Sequence, residues 1–105
     1  MTGSYLTTAP TREEIETTSG SLILQFGTDW CEYCQAAEPI IAVAHSNFEY
    51  LRRLKIEDGQ GRILGRSFKI KLWPTLIFLK NGIEISRVVR PSTVLELEEE
   101  LAKLK

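Results

Sequence analysis

Two nearly unbroken apolar runs, Leu22-Ile23-Leu24-Gln25-Phe26 and Thr75-Leu76-Ile77-Phe78-Leu79, set the architecture. A strand with one wet face alternates apolar and polar residues. A run that is apolar at both parities must be covered on both sides. The sheet holding these runs therefore needs a layer of helix on each face, and the chain supplies the segments for it. With 105 residues, one core and one domain over 1–105 are expected.

Around the two runs the other elements follow in order. Tyr5 to Thr7 reads as a short first strand. Thr11 with Glu14 has capping-box spacing and opens a helix ending near Gly20. Ala37, Ile40, Ile41, Ala44 and Phe48 recur at helical spacing, with Pro39 expected to kink that helix. Arg53 to Glu57 alternates as a strand, Asp58 to Gly61 is a loop, and a short helix starts near Arg62. Asn81-Gly82 signals a tight hairpin into a strand reaching Val89, because both residues tolerate positive φ. Thr93 with Glu96 caps a last helix whose Val94, Leu97, Leu101 and Leu104 share a face. The order β-α-β-α-β-α-β-β-α implies an α/β fold with a central mixed β-sheet flanked by helices on both faces.

Charge excludes more than it suggests. Net charge is −1, with no basic cluster, so neither nucleic acid nor a membrane surface is an expected partner. No stretch approaches the roughly 20 apolar residues of a membrane span. Met1 to Thr8 lacks the basic and apolar regions of a signal peptide, so a cytoplasmic setting and a monomer are expected.

The only two cysteines, Cys31 and Cys34, stand three positions apart after Trp30, where a helix begins. A disulfide closing so short a loop restrains the unfolded chain weakly, so this pair is read as redox chemistry and not as a staple. A cysteine at a helix N-terminus has unpaired N–H groups and the positive dipole end beside it, which favour the thiolate. Cys31 is thus the expected exposed nucleophile and Cys34, one turn deeper, the resolving partner. Zinc would need four ligands in a structural site, and Cys31, Cys34 and the distant His45 give three, so no metal is expected.

Phe26-Gly27-Thr28-Asp29-Trp30-Cys31-Glu32-Tyr33-Cys34, then Pro39, Trp73-Pro74-Thr75 and Lys80-Asn81-Gly82, resembles the thioredoxin family over nearly the whole chain. The resemblance implies the thioredoxin-like fold, a cis peptide before Pro74, and a thiol–disulfide oxidoreductase. It implies Trp30 as a wall of the site and a substrate groove at Trp73, Pro74, Thr75 and Arg90. It also implies a disulfide-containing protein substrate and no bound cofactor, with electrons from a recycling reductase or a glutathione system.

Several residues depart from the family pattern. Glu32-Tyr33 stands where Gly-Pro is common, and a carboxylate beside Cys31 disfavours its thiolate, which makes the pair more reducing. Gln25 stands where a buried Asp helps deprotonate the resolving cysteine. An amide cannot accept that proton, so slow resolution and a satisfied core amide are equal readings. Gly27 replaces an aromatic, Trp73 a small aliphatic, and Arg90-Pro91 a Gly-containing stretch. Tyr33 before the second cysteine is similar to the glutaredoxin pattern, which keeps a glutathione-linked enzyme as an alternative. A non-enzymatic module that uses the altered groove for binding is the other.

Overall fold

The computed structural model describes residues 4–105; Met1 to Gly3, part of the stretch read for a leader, lie outside the described residues. The elements run α1 (Arg12–Glu16), β1 (Ser21–Gly27), α2 (Glu32–Ser46), β2 (Arg52–Glu57), α3 (Ile63–Ser67), β3 (Thr75–Lys80), β4 (Ile83–Val89) and α4 (Val94–Ala102). The sheet has the order β2-β1-β3-β4. β1 and β2 are parallel, and β1–β3 and β3–β4 are antiparallel. This is the thioredoxin fold, a mixed sheet with helices on both faces.

The two apolar runs became the two central strands, and alternate residues on each face opposite layers. Ile23, Leu76 and Phe78 pack with Ile41, Leu97 and Leu101 of α2 and α4. Leu22, Leu24, Phe26, Ile77 and Leu79 pack with Ile15, Leu64 and Phe68, beneath α1 and α3. Phe78 is fully buried between β3 and the α2–α4 layer. Phe78→Ala is expected to cost about 3–5 kcal/mol in urea unfolding, since a large ring leaves a cavity that the sheet cannot close.

The hairpin and caps form as their residues dictate. Asn81 and Gly82 take φ of 52° and 79°, the positive pair a tight hairpin requires. A Cβ on Gly82 would lie 2.1 Å from the Glu16 carbonyl oxygen, so glycine also lets the turn pass close to the end of α1. The Thr11–Glu14 capping box is complete, and the Thr93 hydroxyl accepts from the Glu96 N–H.

Three expectations change. Tyr5 to Thr7 is not a strand: only Leu6 forms an isolated parallel bridge, to Ile56. α1 ends at Glu16, four residues before Gly20, because Thr17 and Thr18 turn their hydroxyls back onto Glu13 and Glu14 carbonyls. Phe48 lies beyond the end of α2, in a turn that still delivers its ring to the α2–α4 core. Pro39 sits inside α2, which runs through it without a break.

Candidate active site

β1 ends at Gly27, and the Thr28–Trp30 loop hands the chain to α2 with Cys31 as its N-cap. Cys31 has the extended backbone of a cap, and its Sγ accepts the Cys34 N–H at 3.2 Å. The cysteine read as sitting in the helix start is thus the cap itself, with its sulfur aimed at the unpaired N–H groups. Exposure differs from expectation: Cys31 is 7% exposed and Cys34 2% exposed, so the outer sulfur is sheltered as well. The shelter comes from the aromatics. Tyr5 forms a cluster with both cysteines, and Trp73 packs against it. Both cysteines are free thiols. Burial, with the hydrogen bond to Cys31, pushes the Cys34 thiol up to about 11.

The Trp73–Pro74 bond is cis, as the resemblance implied, and Trp73 packs against the cluster of Tyr5 and the two cysteines. Trp73 donates its ring N–H to Asp58 Oδ2 at 2.9 Å and meets Trp30 edge-on, with centroids 5.7 Å apart. Trp30 is itself 72% exposed, an open wall to the site. Thr75, read as a groove residue, is buried, and its hydroxyl donates to the Leu72 carbonyl at 2.7 Å. Arg90 takes a positive φ of 50°, a conformation that glycine adopts without strain. Its guanidinium lies 3.6 Å from the centre of the Tyr33 ring, and its Nε donates to the Trp73 carbonyl at 2.8 Å. Arg90 therefore ties the residue before Cys34 to the residue before Pro74. Glu32 is exposed in the first turn of α2.

Beneath the sulfurs lies a polar group that only partly follows the sequence reading. Gln25 is buried, and its amide is saturated: Oε1 accepts from Arg53 Nε and Nη2 at 2.9 and 2.6 Å, while Nε2 donates to the Tyr5 hydroxyl at 2.7 Å and to Glu38 Oε1 at 3.2 Å. Glu38 pairs with Arg53 at 2.7 Å and Lys55 at 3.2 Å. Burial pushes the Glu38 carboxyl up, but the Arg53 hydrogen bond and charge, with Gln25 and Lys55, outweigh it and hold it low.

Tyr5, Glu38, Arg53 and Asp58 were missed as site residues. Glu38 had a signal, since it follows Cys34 by one helical turn on the same face. Tyr5 had none, as its contacts span 20 residues or more to Gln25 and Asp29. The space that a side chain at Gly27 would enter is filled by Cys34 and Tyr5: a Cβ on Gly27 would lie 2.5 Å from Cys34 Sγ and 2.7 Å from the Tyr5 hydroxyl.

A cis proline, an N-cap CxxC and this sheet order have their counterpart among known proteins. The thioredoxin family model matches residues 4–103. The chain belongs to the thioredoxin family. It is 48% identical to thioredoxin 2 from Pseudomonas aeruginosa PAO1, solved in its reduced form, with a TM-score of 0.90 over 99% of this chain and 96% of that one. It is 27% identical to Thioredoxin H2 of Arabidopsis thaliana over 88% of this chain and 68% of that protein. For Thioredoxin H5 of the same plant the identity is 29%, over 78% and 69%. This thioredoxin-family chain is a thiol–disulfide oxidoreductase. Among the described residues no group of three or more His, Cys, Asp or Glu could hold a metal ion, and no helix is long and apolar enough to cross a membrane.

Proposed function

We propose that the protein is a disulfide reductase in which Cys31 attacks and Cys34 resolves. The observation that carries the reading is the cap: Cys31 Sγ accepts the Cys34 N–H at 3.2 Å, beside the positive end of α2. The Cys31 thiolate attacks one sulfur of a client disulfide, forming a Cys31–client bond. The other client sulfur leaves and takes a proton. Cys34 then loses its proton and attacks Cys31 Sγ, and the second client sulfur leaves as a thiol. Two electrons pass from the dithiol to the client, which ends with two thiols while Cys31 and Cys34 form a disulfide. Trp30, Trp73, Pro74 and Arg90 frame the groove beside Cys31, where an extended client segment would lie.

The cycle closes when a reductase returns two electrons to the Cys31–Cys34 disulfide. No bound cofactor enters either half. The client is a protein disulfide, the chain works as a monomer, and the cytoplasm suits a protein whose only cysteines are the reactive pair.

Cys34→Ser should stop the cycle at the mixed disulfide, leaving clients covalently attached through Cys31. Mass spectrometry of adducts captured under non-reducing conditions identifies both the client and the bonded cysteine. Attachment through position 34 in the reciprocal Cys31→Ser protein, with none in Cys34→Ser, would reverse the two roles. Insulin reduction coupled to thioredoxin reductase, set against glutathione mixed-disulfide reduction coupled to glutathione reductase, separates the protein-linked enzyme from the glutathione-linked one.

A further inference from the structure

A chain of hydrogen bonds, all pointing one way, runs from Arg53 through Gln25 to the Tyr5 hydroxyl, which packs against the inner sulfur. Arg53 has only donors, so the Gln25 atom facing Arg53 Nε and Nη2, at 2.9 and 2.6 Å, must be the carbonyl oxygen. That fixes the amide without ambiguity and turns its Nε2 to the Tyr5 hydroxyl at 2.7 Å. The Tyr5 oxygen thus accepts from Gln25, and its own proton must go elsewhere. The Cys34 sulfur is the acceptor beside it: a Cβ on Gly27 would lie 2.5 Å from Cys34 Sγ and 2.7 Å from the Tyr5 hydroxyl, and the two side chains share one buried cluster.

We propose that Tyr5 is a catalytic residue of the resolving step, donating its hydroxyl proton in a hydrogen bond to the forming Cys34 thiolate, with Gln25 and Arg53 as the residues that aim it. This rests on the reading of Cys34 as resolving cysteine. It reconciles the amide at position 25 with exchange chemistry. Gln25 cannot take the proton, but it polarises a donor that stabilises the anion left behind. The proton itself leaves to solvent through a cleft of about 80 Å³ that Tyr5, Thr28, Asp29, Cys34 and Glu38 help to line. The electron pair left on sulfur forms the bond to Cys31, and the departing client thiolate takes up a proton, so the step balances.

The hydroxyl is built into its place. Leu6 bridges to β2 through Leu6 N to Lys55 O at 2.7 Å and Glu57 N to Leu6 O at 2.9 Å. The Tyr5 N–H bonds Asp29 Oδ1 at 3.0 Å, and Lys55 Nζ lies 4.7 Å from the centre of its ring. Burial raises the phenol well above its ordinary range, so Tyr5 keeps its proton wherever the enzyme works. The charged or titratable groups facing Cys34 and Tyr5 are Cys31, Asp29, Glu38, Arg53 and Lys55.

Tyr5→Phe keeps the ring and removes only the donor. The Cys31 mixed disulfide with thionitrobenzoate is formed from the dithiol protein, and release of the coloured thiol is followed against pH. Release should be about tenfold slower in Tyr5→Phe at each pH below the wild-type Cys34 midpoint, converging with wild type only above the variant's raised midpoint, because a hydrogen bond to an ionised group is lost. In a Cys31→Ser background, the Cys34 Cβ chemical shift should titrate about one pH unit higher with Phe at position 5. Superimposable release profiles and an unmoved Cys34 titration would overturn the proposal. Failure of wild type to release the coloured thiol through Cys34 would instead overturn the assignment of the resolving cysteine, so the two failures are distinct.

Discussion

Cys31→Ser should abolish disulfide reduction while leaving the fold standing. Serine is a preferred N-cap, and its Oγ can take the Cys34 N–H that Cys31 Sγ accepts at 3.2 Å, so α2 keeps its first hydrogen bond. The melting temperature is therefore expected within a few degrees of wild type. The hydroxyl has neither the thiolate's nucleophilicity nor the ability to hold a disulfide, so insulin reduction should fall to the uncatalysed background. A melting curve and a turnover assay on one preparation make the check. Retained turnover would remove Cys31 from the proposed role.

Arg53→Met should be the most destabilising change near the site. Arg53 anchors Gln25 through two hydrogen bonds and pairs with Glu38 at 2.7 Å, with little of its side chain exposed. Removing it leaves a buried amide oxygen without its donors and a half-buried carboxylate held only by Gln25 and Lys55. Breaking such a pair costs about 3–5 kcal/mol, or roughly 4–8 °C of melting temperature per kcal/mol for a domain of this size. The pH dependence has a definite sign. The Glu38 carboxyl is depressed in the folded protein, so its contribution is present above the ordinary glutamate range and lost as pH falls through the depressed value. Arg53→Met should shrink that acid-side loss, since the protein no longer holds the carboxyl low. Urea unfolding at neutral and at acid pH measures both effects, and an acid loss equal to that of wild type would assign the slope to other carboxylates.

Most of the frame was legible because its signals are local. The runs of β1 and β3 announced a sheet covered on both faces, and their alternate residues do feed two separate cores. Thr11, Thr93 and Asn81-Gly82 marked caps and a hairpin through short-range hydrogen bonding and positive φ, which depend on neighbours in sequence. The errors fell where local pattern is weakest. Tyr5 to Thr7 was expected as a strand, yet only Leu6 bridges to β2, and Tyr5 carries its ring to the sulfurs. Cys31 was expected to be exposed because helix starts face solvent, but the Tyr5 and Trp73 side chains close over it.

By itself the order of residues determined the chemistry and the layering. Two sulfurs three positions apart at a helix start can exchange a bond in any fold that lets the helix form, and apolar runs demand cover wherever they lie. What the tertiary structure alone decided is how the inner sulfur is served. Tyr5, Gln25 and Arg53 come from an N-terminal segment and two strands, and Gly27 clears the space where the first of them meets Cys34. No spacing rule links such residues, because hydrogen bonds are satisfied by proximity in space, and the parallel pairing of β1 with β2 brings Arg53 to Gln25.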